Sequence, residues 1–342
     1  MSLYSMLRAA LPVALGLLAW GAPQTSAQEL QFADLGTCEL EHGGVIEDCR
    51  IGYRTVGTLN SDSSNVVLFP TWYGGTSLQH LGYVGPDRLI DSSEFYVIVV
   101  DAFGNGVSSS PSNSNSQPEA DFPRITIPDM VRHQHRLLSG MGISSVHAVV
   151  GISMGGMQAY EWAVQYPDFM DKIVPVVGSP RLDAYDVVLW ETRIRLYEWF
   201  LECDCQEPAA ALGGLRFLTI DPDYQARMTP RDSLQSVLAG FGRATLESGT
   251  AWDRISQSRA MIDHDVAAPR FGSLEDAAAA IRAELFAVVG LTDHVVTPGP
   301  AISFGAMLGA ETLELSSDCG HGVFYCEAEI INNAVRGFLR KP

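Results

Sequence analysis

Three residues from distant parts of the chain, Ser153, Asp293 and His321, have the types and the order that nucleophilic acyl chemistry needs. A serine hydroxyl attacks a carbonyl carbon only when a base removes its proton, and that base must itself be oriented by an acid. A serine followed along the chain by an acid and then by a histidine is one of the few orders in which such groups occur. We therefore predict Ser153 as the nucleophile, His321 as the base and Asp293 as the acid that orients it.

The sequence around Ser153 is typical of a nucleophile held in a sharp turn. Residues 146–150, VHAVV, form a short apolar run that predicts a buried parallel strand. The pentapeptide Gly151 to Gly155, G-x-S-x-G, follows at once, and helix-forming residues come after it. Glycines are needed there because a side chain beside a strained turn would collide with the strand or the helix. The pattern favours a nucleophile elbow, and the alternative is a glycine-rich turn whose serine is idle.

The predicted acid and base each follow an apolar run that indicates a core strand. Asp293 comes three residues after the run 285–290, and His321 comes six residues after the run 312–315. Because the carboxyl ends of parallel strands meet at one edge of a sheet, we expect both side chains beside Ser153. The alternatives are His80 for the base, and Asp318 and Asp265 for the acid.

A tetrahedral intermediate also needs two hydrogen-bond donors for its oxyanion. The backbone N–H of Met154, directly after the nucleophile at a helix N-terminus, is the first predicted donor. The second is expected in the loop after the apolar run 66–69, from Trp72 or from Tyr73. Pro70 is excluded because proline has no N–H.

Strand-like and helix-like stretches alternate along most of the chain, which indicates an α/β fold with a doubly wound, mostly parallel sheet. We assign residues 28–180 and 283–342 to that core. Residues 181–282 have helical periodicity and no strand-like runs, so we predict a helical cap or lid inserted into the core. Residues 104–118 are rich in Gly, Ser, Asn and Pro, which predicts a loop that is either functional or mobile.

The first 27 residues differ in character from the rest of the chain. Arg8 precedes the apolar run 9–20, which is too short to span a bilayer, and Ala27 ends a site of small residues. This order predicts a secretory signal, residues 1–27, cleaved near Ala27; the alternative is an uncleaved N-terminal anchor. No later run predicts a membrane span. We therefore expect a secreted or periplasmic protein.

The composition limits the classes of partner. The 342-residue chain has a formal net charge of −18, and removing residues 1–27 takes away one Arg and no acid, which leaves −19. Such a surface repels nucleic acid and anionic membranes. No set of residues stands at metal-ligand spacing, so we predict no metal and no cofactor. The expected partner is a small-molecule acyl or ester substrate, and the sequence leaves a homodimer open.

All six cysteines follow the predicted signal, which favours disulfides formed in an oxidising compartment. Cys38 and Cys49 flank a Gly-Gly pair. A two-residue turn at Gly43 and Gly44 would place Cys38 directly opposite Cys49 across a hairpin, so we predict that bridge.

The other four cysteines are less decisive. Cys319 and Cys326 bracket His321 and could staple its segment. Cys203 and Cys205 stand too close together for an ordinary bridge with each other, so any bridge is expected to go elsewhere.

Two stretches resemble the homoserine O-acetyltransferase branch of the α/β-hydrolase superfamily. They are DFPRITIPDMVRHQHRLLSGMGI at 121–143 and GISMGGMQAYEWAVQYP at 151–167. The segments around Asp293 and His321 are similar as well, and the resemblance covers roughly residues 44 to 340. It implies an α/β-hydrolase fold in which Ser153 is acylated, with His321 as base and Asp293 as its acid. In that family the acyl group comes from acyl-CoA and passes to a hydroxyl.

The chain departs from that family where the substrate is concerned. Gly322 stands where the family has an acidic residue after the histidine, Pro70 replaces the histidine that opens the oxyanion loop, and the loop 104–118 is Ser-rich. A secretory signal would also place the enzyme where acyl-CoA is scarce. We therefore favour a secreted serine hydrolase that cleaves an ester or related acyl bond, with water as acceptor. The alternatives are an O-acyltransferase of the homoserine O-acetyltransferase type and a non-catalytic binding protein of the same fold.

Overall fold

The computed structural model describes residues 29–203, 205, 207–247, 249–268 and 270–342. The predicted signal segment and its cleavage site lie outside the described residues. The described chain forms one eight-stranded sheet with helices packed on it. Its strands are β1 Gln31–Glu39, β2 Val45–Val56, β3 Val66–Pro70, β4 Tyr96–Val100, β5 Val146–Ile152, β6 Met170–Val176, β7 Glu284–Gly290 and β8 Glu311–Leu315.

The sheet is mostly parallel. Its strands lie in the order β1-β2-β4-β3-β5-β6-β7-β8, and only β2 runs against its neighbours. Nearly every side chain of β3 to β7 is buried. Continuous apolar runs such as these suit parallel strands, because helices cover both faces of a parallel sheet. The predicted doubly wound, mostly parallel sheet is confirmed.

The helices complete two apolar layers around the sheet. They are α1 Ser77–His80, α2 Ile127–Gly140, α3 Met154–Gln165, α4 Ala184–Cys203, α5 Glu207–Leu218, α6 Pro222–Met228, α7 Leu234–Glu247, α8 Ala251–Ile262, α9 Leu274–Ala280, α10 Pro298–Met307, α11 Val323–Cys326 and α12 Ala328–Leu339. Helices α2 and α3 bury residues such as Leu138 and Trp162 against one face of the sheet. Helix α12 buries Ile331 and Val335 against the other face. Both layers exclude water from the strands and so fix the sheet edge where the site lies.

Helices α4 to α9 all lie between β6 and β7. They have a small apolar cluster of their own, formed by Ile194, Tyr197, Leu212, Ala251 and Ile255. The division into a core at 28–180 and 283–342 and a cap at 181–282 remains a proposal. Among the described residues, every helix is too short or too polar to cross a bilayer.

The hairpin of β1 and β2 forms, but not with the predicted turn. Leu40 N–H donates to Gly44 O at 2.9 Å, and Gly43 N–H donates to Leu40 O at 3.0 Å, which closes a longer loop than Gly43-Gly44 alone. Gly43 has a φ of +82°, where glycine is favoured. The predicted register is wrong, because Cys38 is not directly opposite Cys49. The predicted bridge is nevertheless present, with the two Cα atoms 5.7 Å apart, where the pairing of β1 and β2 is irregular.

Two further disulfides are present among the described residues. Cys319 and Cys326, whose pairing the sequence left open, are bridged with their Cα atoms 6.5 Å apart, and the bridge closes the segment that carries His321. Cys203 and Cys205 are also bridged, with their Cα atoms 5.2 Å apart. The expectation that these two could not pair with each other is wrong. Helix α4 ends at Cys203, so the two side chains are not held in the diverging directions that a helix would impose.

The Ser-rich loop 104–118 is tied to the sheet through its serines. Ser108 Oγ donates to Asp101 O at 2.7 Å and accepts the N–H of Gly52 at 3.0 Å. Ser109 Oγ accepts the N–H of Arg50 at 2.9 Å. Both serines are buried. These small hydroxyl side chains form hydrogen bonds with backbone groups along β2. The serines that predicted a loop therefore stabilise the fold.

Candidate active site

Ser153 lies in a strained turn between β5 and α3. Its φ of 57° and ψ of −121° are unfavourable for a residue with a side chain. A Cβ at Gly151 would lie 2.0 Å from Gly155 O, and one at Gly155 would lie 2.5 Å from Pro70 O. Only glycine fits at either position. The turn therefore presents Ser153 at the end of the strand, as the pentapeptide predicted.

The structure brings the three predicted residues together at the C-terminal edge of the sheet. Ser153 Oγ lies 2.9 Å from His321 Nε2, and His321 Nδ1 lies 2.6 Å from Asp293 Oδ2. The other oxygen of Asp293 accepts the backbone N–H groups of Val295 and Val296 at 2.8 and 3.0 Å. Asp293 is buried, so its carboxylate has one fixed orientation. This arrangement can move a proton from Ser153 to His321 while Asp293 stabilises the imidazolium.

The alternative acids and base are engaged elsewhere. Asp318 forms an ion pair with Arg227, and Asp265 lies 3.5 Å from Arg181. His80 is fully buried, and burial lowers its pKa to about 3. A histidine that stays neutral at every working pH can accept a hydrogen bond but cannot exchange a proton with a substrate.

The two predicted oxyanion donors have different surroundings. Met154 is the first residue of α3, so its N–H has no acceptor within the helix and lies at the positive end of the helix dipole. Trp72 N–H instead donates to His80 Nε2 at 3.3 Å, while His80 Nδ1 lies 3.1 Å from Thr76 O. The N–H of Trp72 can donate to an oxyanion only if it also donates to His80 Nε2 or gives up that bond. Its role, like that of Tyr73, stays a prediction.

A cavity of about 380 Å³ opens above Ser153 and His321. The loops at the sheet edge supply one side of its lining, through Trp72, Tyr73, Gly74, Gln79, Val295 and Phe324. The helices between β6 and β7 supply the other side, through Trp190, Arg193, Tyr197, Leu212, Arg216, Thr219, Ala244, Thr245 and Arg254. The lining mixes aromatic walls with a few polar groups, as small-molecule sites do.

Hydrogen bonds from α8 hold the loop after β3. The side chain of Gln257 accepts the N–H of Gly74 at 2.7 Å and donates to Phe103 O at 2.9 Å. Gly74 has a φ of +63°, and a Cβ there would lie 0.9 Å from the guanidinium of Arg254. The predicted oxyanion loop is therefore fixed by a helix that lies far from it in the sequence.

The loop that carries Asp293 is held in a similar way by α4. Asp186 accepts the N–H of Thr297 at 3.1 Å, and Trp190 Nε1 donates to Val295 O at 3.2 Å. Asp186 is fully buried, and burial raises the pKa of its carboxyl. These contacts join the helical segment to the acid of the site.

Three arginines, Arg193, Arg216 and Arg254, line the cavity, and no Asp or Glu is among its described lining residues. Arg193 stacks on Trp190, with its guanidinium carbon 4.6 Å from the ring centroid. Burial lowers the pKa of Arg216, and the nearby charge of Arg193 lowers it further. Within a protein of net charge −18, this concentration of positive charge favours a ligand that carries a negative group.

Sequence reasoning did not identify this half of the lining. Trp190, Arg193 and Tyr197 share one face of α4, and their spacing of three and four residues could have marked that face. Spacing alone does not say whether a face meets the core, the solvent or a cavity. Gln257 had no signal at all, because its partners come from other elements, and His80 was considered only as the alternative base.

Comparison with known proteins agrees with this geometry. Residues 65–328 match the family model described as the alpha/beta hydrolase fold. The chain is 40% identical over 217 residues to an ethyl acetate hydrolase from Pseudomonas veronii, covering 62% of this chain but only 55% of that protein. It thus spans about half the length of that relative. It is 30% identical to the homoserine O-acetyltransferase of Caulobacter vibrioides, over 88% of this chain and 91% of that protein.

A solved structure is similar throughout. The acetylester hydrolase from Corynebacterium glutamicum superposes with a TM-score of 0.84 at 28% identity, over 92% of this chain and 96% of that one. The sheet order, the position of Ser153 after β5 and these similarities agree with one another. The chain belongs to the alpha/beta hydrolase fold family, in the branch related to the homoserine O-acetyltransferases.

Proposed function

We propose that this protein is a serine hydrolase that cleaves short acyl esters, with Ser153 as nucleophile, His321 as general base and acid, and Asp293 as the acid that orients it. The observation that carries the proposal is the continuous chain of hydrogen bonds from Asp293 through His321 to Ser153 on the floor of the cavity.

The reaction follows from this geometry in two halves. Ser153 Oγ bonds to the ester carbonyl carbon while its proton passes to His321 Nε2. The resulting oxyanion is stabilised by Met154 N–H, with Trp72 or Tyr73 as the second predicted donor. The C–O bond of the ester then breaks, and His321 gives its proton to the leaving alcohol. Water attacks the acyl-enzyme with His321 as base, which releases the acid and restores the Ser153 hydroxyl.

Hydrolysis is favoured over acyl transfer by two observations. Relatives that match the chain include an ethyl acetate hydrolase. Gly322 provides no carboxylate beside His321 to hold the amine of an amino-acid acceptor. The runner-up remains O-acyl transfer from acyl-CoA to a hydroxyl, as in the homoserine O-acetyltransferase relatives.

The arginines on the helical side refine the substrate class. Arg193 and Arg216 are placed to attract a carboxylate or a similar anion in a cavity that lacks acidic lining residues within the described chain. A bidentate or paired contact from guanidinium groups would orient such a group. We therefore propose that esters with an anionic acyl part are better substrates than neutral esters of equal size.

The test is an ester panel with the mature protein. Ethyl acetate and p-nitrophenyl acetate should be hydrolysed, and a fluorophosphonate should label the protein. The Ser153→Ala variant should lose both activities while its thermal midpoint stays close to that of the wild type. Absence of turnover and of labelling in the wild type would leave only the non-catalytic binding protein. Labelling that survives the substitution would identify a different serine.

A second assay separates hydrolase from transferase. Ethyl acetate is supplied in one reaction and acetyl-CoA with homoserine in another, and free acetate and acetylhomoserine are measured in both. We expect free acetate from ester substrates and no acetylhomoserine. Robust formation of acetylhomoserine would establish the runner-up.

We also propose that the protein is secreted or periplasmic and that residues 1–27 are removed. The three disulfides among the described residues support an oxidising compartment. N-terminal sequencing of the exported protein should begin at Gln28, and retention of the first 27 residues would contradict the proposal. Light scattering of the same sample would test the homodimer, which stays a prediction.

A further inference from the structure

A second cavity lies directly behind one wall of the first. Its volume is about 230 Å³, and Phe324 is the residue that lines both cavities. Of its other described lining residues, Arg88 alone is charged and is exposed, and the rest are Gly82, Tyr83, Leu89, Tyr325, Ala328 and Asn332. A space of this character suits an uncharged alkyl chain rather than a polar or ionic group.

Three aromatic rings form the wall between the two cavities. The ring centroid of Phe324 lies 6.0 Å from that of Trp72 and 5.9 Å from that of Tyr83, and the Trp72 and Tyr83 centroids are 5.6 Å apart. These separations are those of aromatic rings in contact. Trp72 lines the first cavity and Tyr83 lines the second, so Phe324 completes the partition from both sides.

The partition stands on the side of the site where an alcohol leaves. His321 Nε2 must give its proton to the leaving oxygen, so the alcohol part of an ester begins beside His321. The ring centroids of His321 and Phe324 are 6.4 Å apart. The bridge between Cys319 and Cys326 encloses both residues in one short segment. The direction in which an alcohol chain extends is therefore limited by the ring of Phe324.

We propose that Phe324 is a specificity-determining residue that sets the length of the alcohol part of the ester, and that the cavity behind it is a latent subsite for an alkyl chain. The proposal rests on the proposed ester hydrolase function. With the ring in place, only short alcohols fit. Without the ring, the two cavities join, and a longer chain can bury its methylene groups against Tyr83 and Leu89.

The experiment compares alkyl acetates, which differ only in the alcohol. The value of kcat/KM is measured by titrating released acid for ethyl, butyl and hexyl acetate with the wild type and Phe324→Ala. We expect the variant to raise the ratio of hexyl to ethyl acetate at least about tenfold, since one methylene in an apolar pocket is worth about 10-fold or more. The ratio of the two substrates is the readout, because loss of a residue that lines the cavity changes the absolute kcat/KM of every ester.

Two further variants and a second substrate series complete the design. Phe324→Trp should lower the ratio of butyl to ethyl acetate, and it carries the test if the alanine variant does not fold. Tyr325→Ala is the matched control: Tyr325 is the next residue, is 75% exposed and lines only the second cavity, so the ratios should not change. Ethyl acetate, butyrate and hexanoate vary the acyl part instead, and their ratios should be the same in the wild type and Phe324→Ala.

The outcomes are distinct. Active variants with unchanged alcohol ratios would overturn the role of Phe324 and leave the hydrolase function intact. A gain confined to the acyl series would show that the acyl part, not the alcohol, faces Phe324, and would also overturn the proposal. A wild-type protein that hydrolyses no ester at all would instead refute the proposed function itself.

Discussion

On the sheet side of the cavity, backbone turns at the ends of strands fix the positions of Ser153, Asp293 and His321. On the helical side, the charged groups of the arginines lie at the ends of long side chains. The turn of Ser153 admits only glycine at its neighbouring positions, and two backbone N–H groups fix Asp293. Arg193, by contrast, is positioned by stacking on a ring. The sheet side can hold reacting atoms to within fractions of an ångström, and the helical side can adapt to a substrate.

The two sides also differ in what supports them. Two extensive apolar layers bury the sheet. The helices between β6 and β7 add residues such as Trp190, Met261 and Ala277 to one of these layers, and they also form a small apolar cluster that is separate from both. Partly buried hydrogen bonds from Gln257, Asp186 and Trp190 also join these helices to the loops of the site. The difference suggests that the sheet side determines the chemistry and the helical side determines the substrate. Substitutions on each side should therefore have different effects.

The largest effect is expected on the sheet side, from Asp293→Asn. An amide would donate to His321 Nδ1 rather than accept from it, so the histidine would carry its proton on the nitrogen that faces Ser153. We expect kcat to fall by about 10⁴, with little change in KM. The control is Asp318→Asn, which removes the rival acid from its ion pair with Arg227 and should leave kcat unchanged. Steady-state kinetics on ethyl acetate measures kcat for both variants. Equal losses of kcat would contradict the assignment of Asp293 as the acid.

The stability of the whole fold, rather than of one side, should depend strongly on pH. His80, His133 and His264 are buried, and burial lowers their pKa values from 6.5 to about 3, 4 and 3. Below pH 6.5 these histidines bind protons in the unfolded chain but not in the folded state. The free energy of unfolding therefore decreases as the pH falls. Each histidine contributes about 1.4 kcal/mol per pH unit. Burial raises the pKa of Glu161 from 4.5 to about 8, which has the opposite sign and offsets one histidine.

The net expectation is a loss of stability as the pH falls below 6.5, smaller than the histidines alone would give, because burial also raises the pKa values of Asp101, Asp129, Asp186 and Asp253. Urea unfolding at pH 6.0, 5.5 and 5.0 measures it. The His133→Gln variant should reduce the dependence of stability on pH by about 1.4 kcal/mol per pH unit, because glutamine binds no proton in the unfolded chain. An unchanged slope in that variant, or a wild-type stability that rises on acidification, would show that these histidines become protonated within the fold.

An intermediate effect is expected where the two sides meet, from Gln257→Leu. Leucine would leave the N–H of Gly74 and the carbonyl of Phe103 without their partner, at a cost of about 1–3 kcal/mol for each buried group. The loosened loop carries Trp72, so kcat for ethyl acetate should fall about tenfold while fluorophosphonate labelling of Ser153 persists. Gln235→Leu, at an exposed position of α7, is the control. Equal kcat in both variants would mean that the helical side does not support the chemistry.

The smallest effect is expected on the helical side, from Arg216→Gln. If the arginines recognise an anionic acyl part, KM for monoethyl succinate should rise about tenfold, which corresponds to about 1.4 kcal/mol, with kcat nearly unchanged. The neutral ester ethyl pentanoate should be unaffected. Arg231→Gln, an exposed arginine that does not line the cavity, is the matched control. A fall in kcat for both esters would show that Arg216 takes part in the chemical step, and would contradict the division of roles between the two sides.

The prediction from sequence succeeded where the signal was local. The apolar runs gave the parallel sheet, and the glycines beside Ser153 gave the turn, because both depend on neighbours in the chain. The bridge between Cys38 and Cys49 was predicted, but its register was wrong, since the glycine pair did not determine the length of the turn. The bridge between Cys203 and Cys205 was missed because the end of α4 was not visible in the sequence.

By itself the sequence determined the order of Ser153, Asp293 and His321 and the kind of turn beside each of them. Short stretches of the chain are enough for this, because strand ends and glycine positions are local features. Only the tertiary structure decided what surrounds them. Long-range packing brought Arg193 and Gln257 to the cavity and set Phe324 between two cavities. Those contacts join elements that are far apart along the chain, so no local pattern records them.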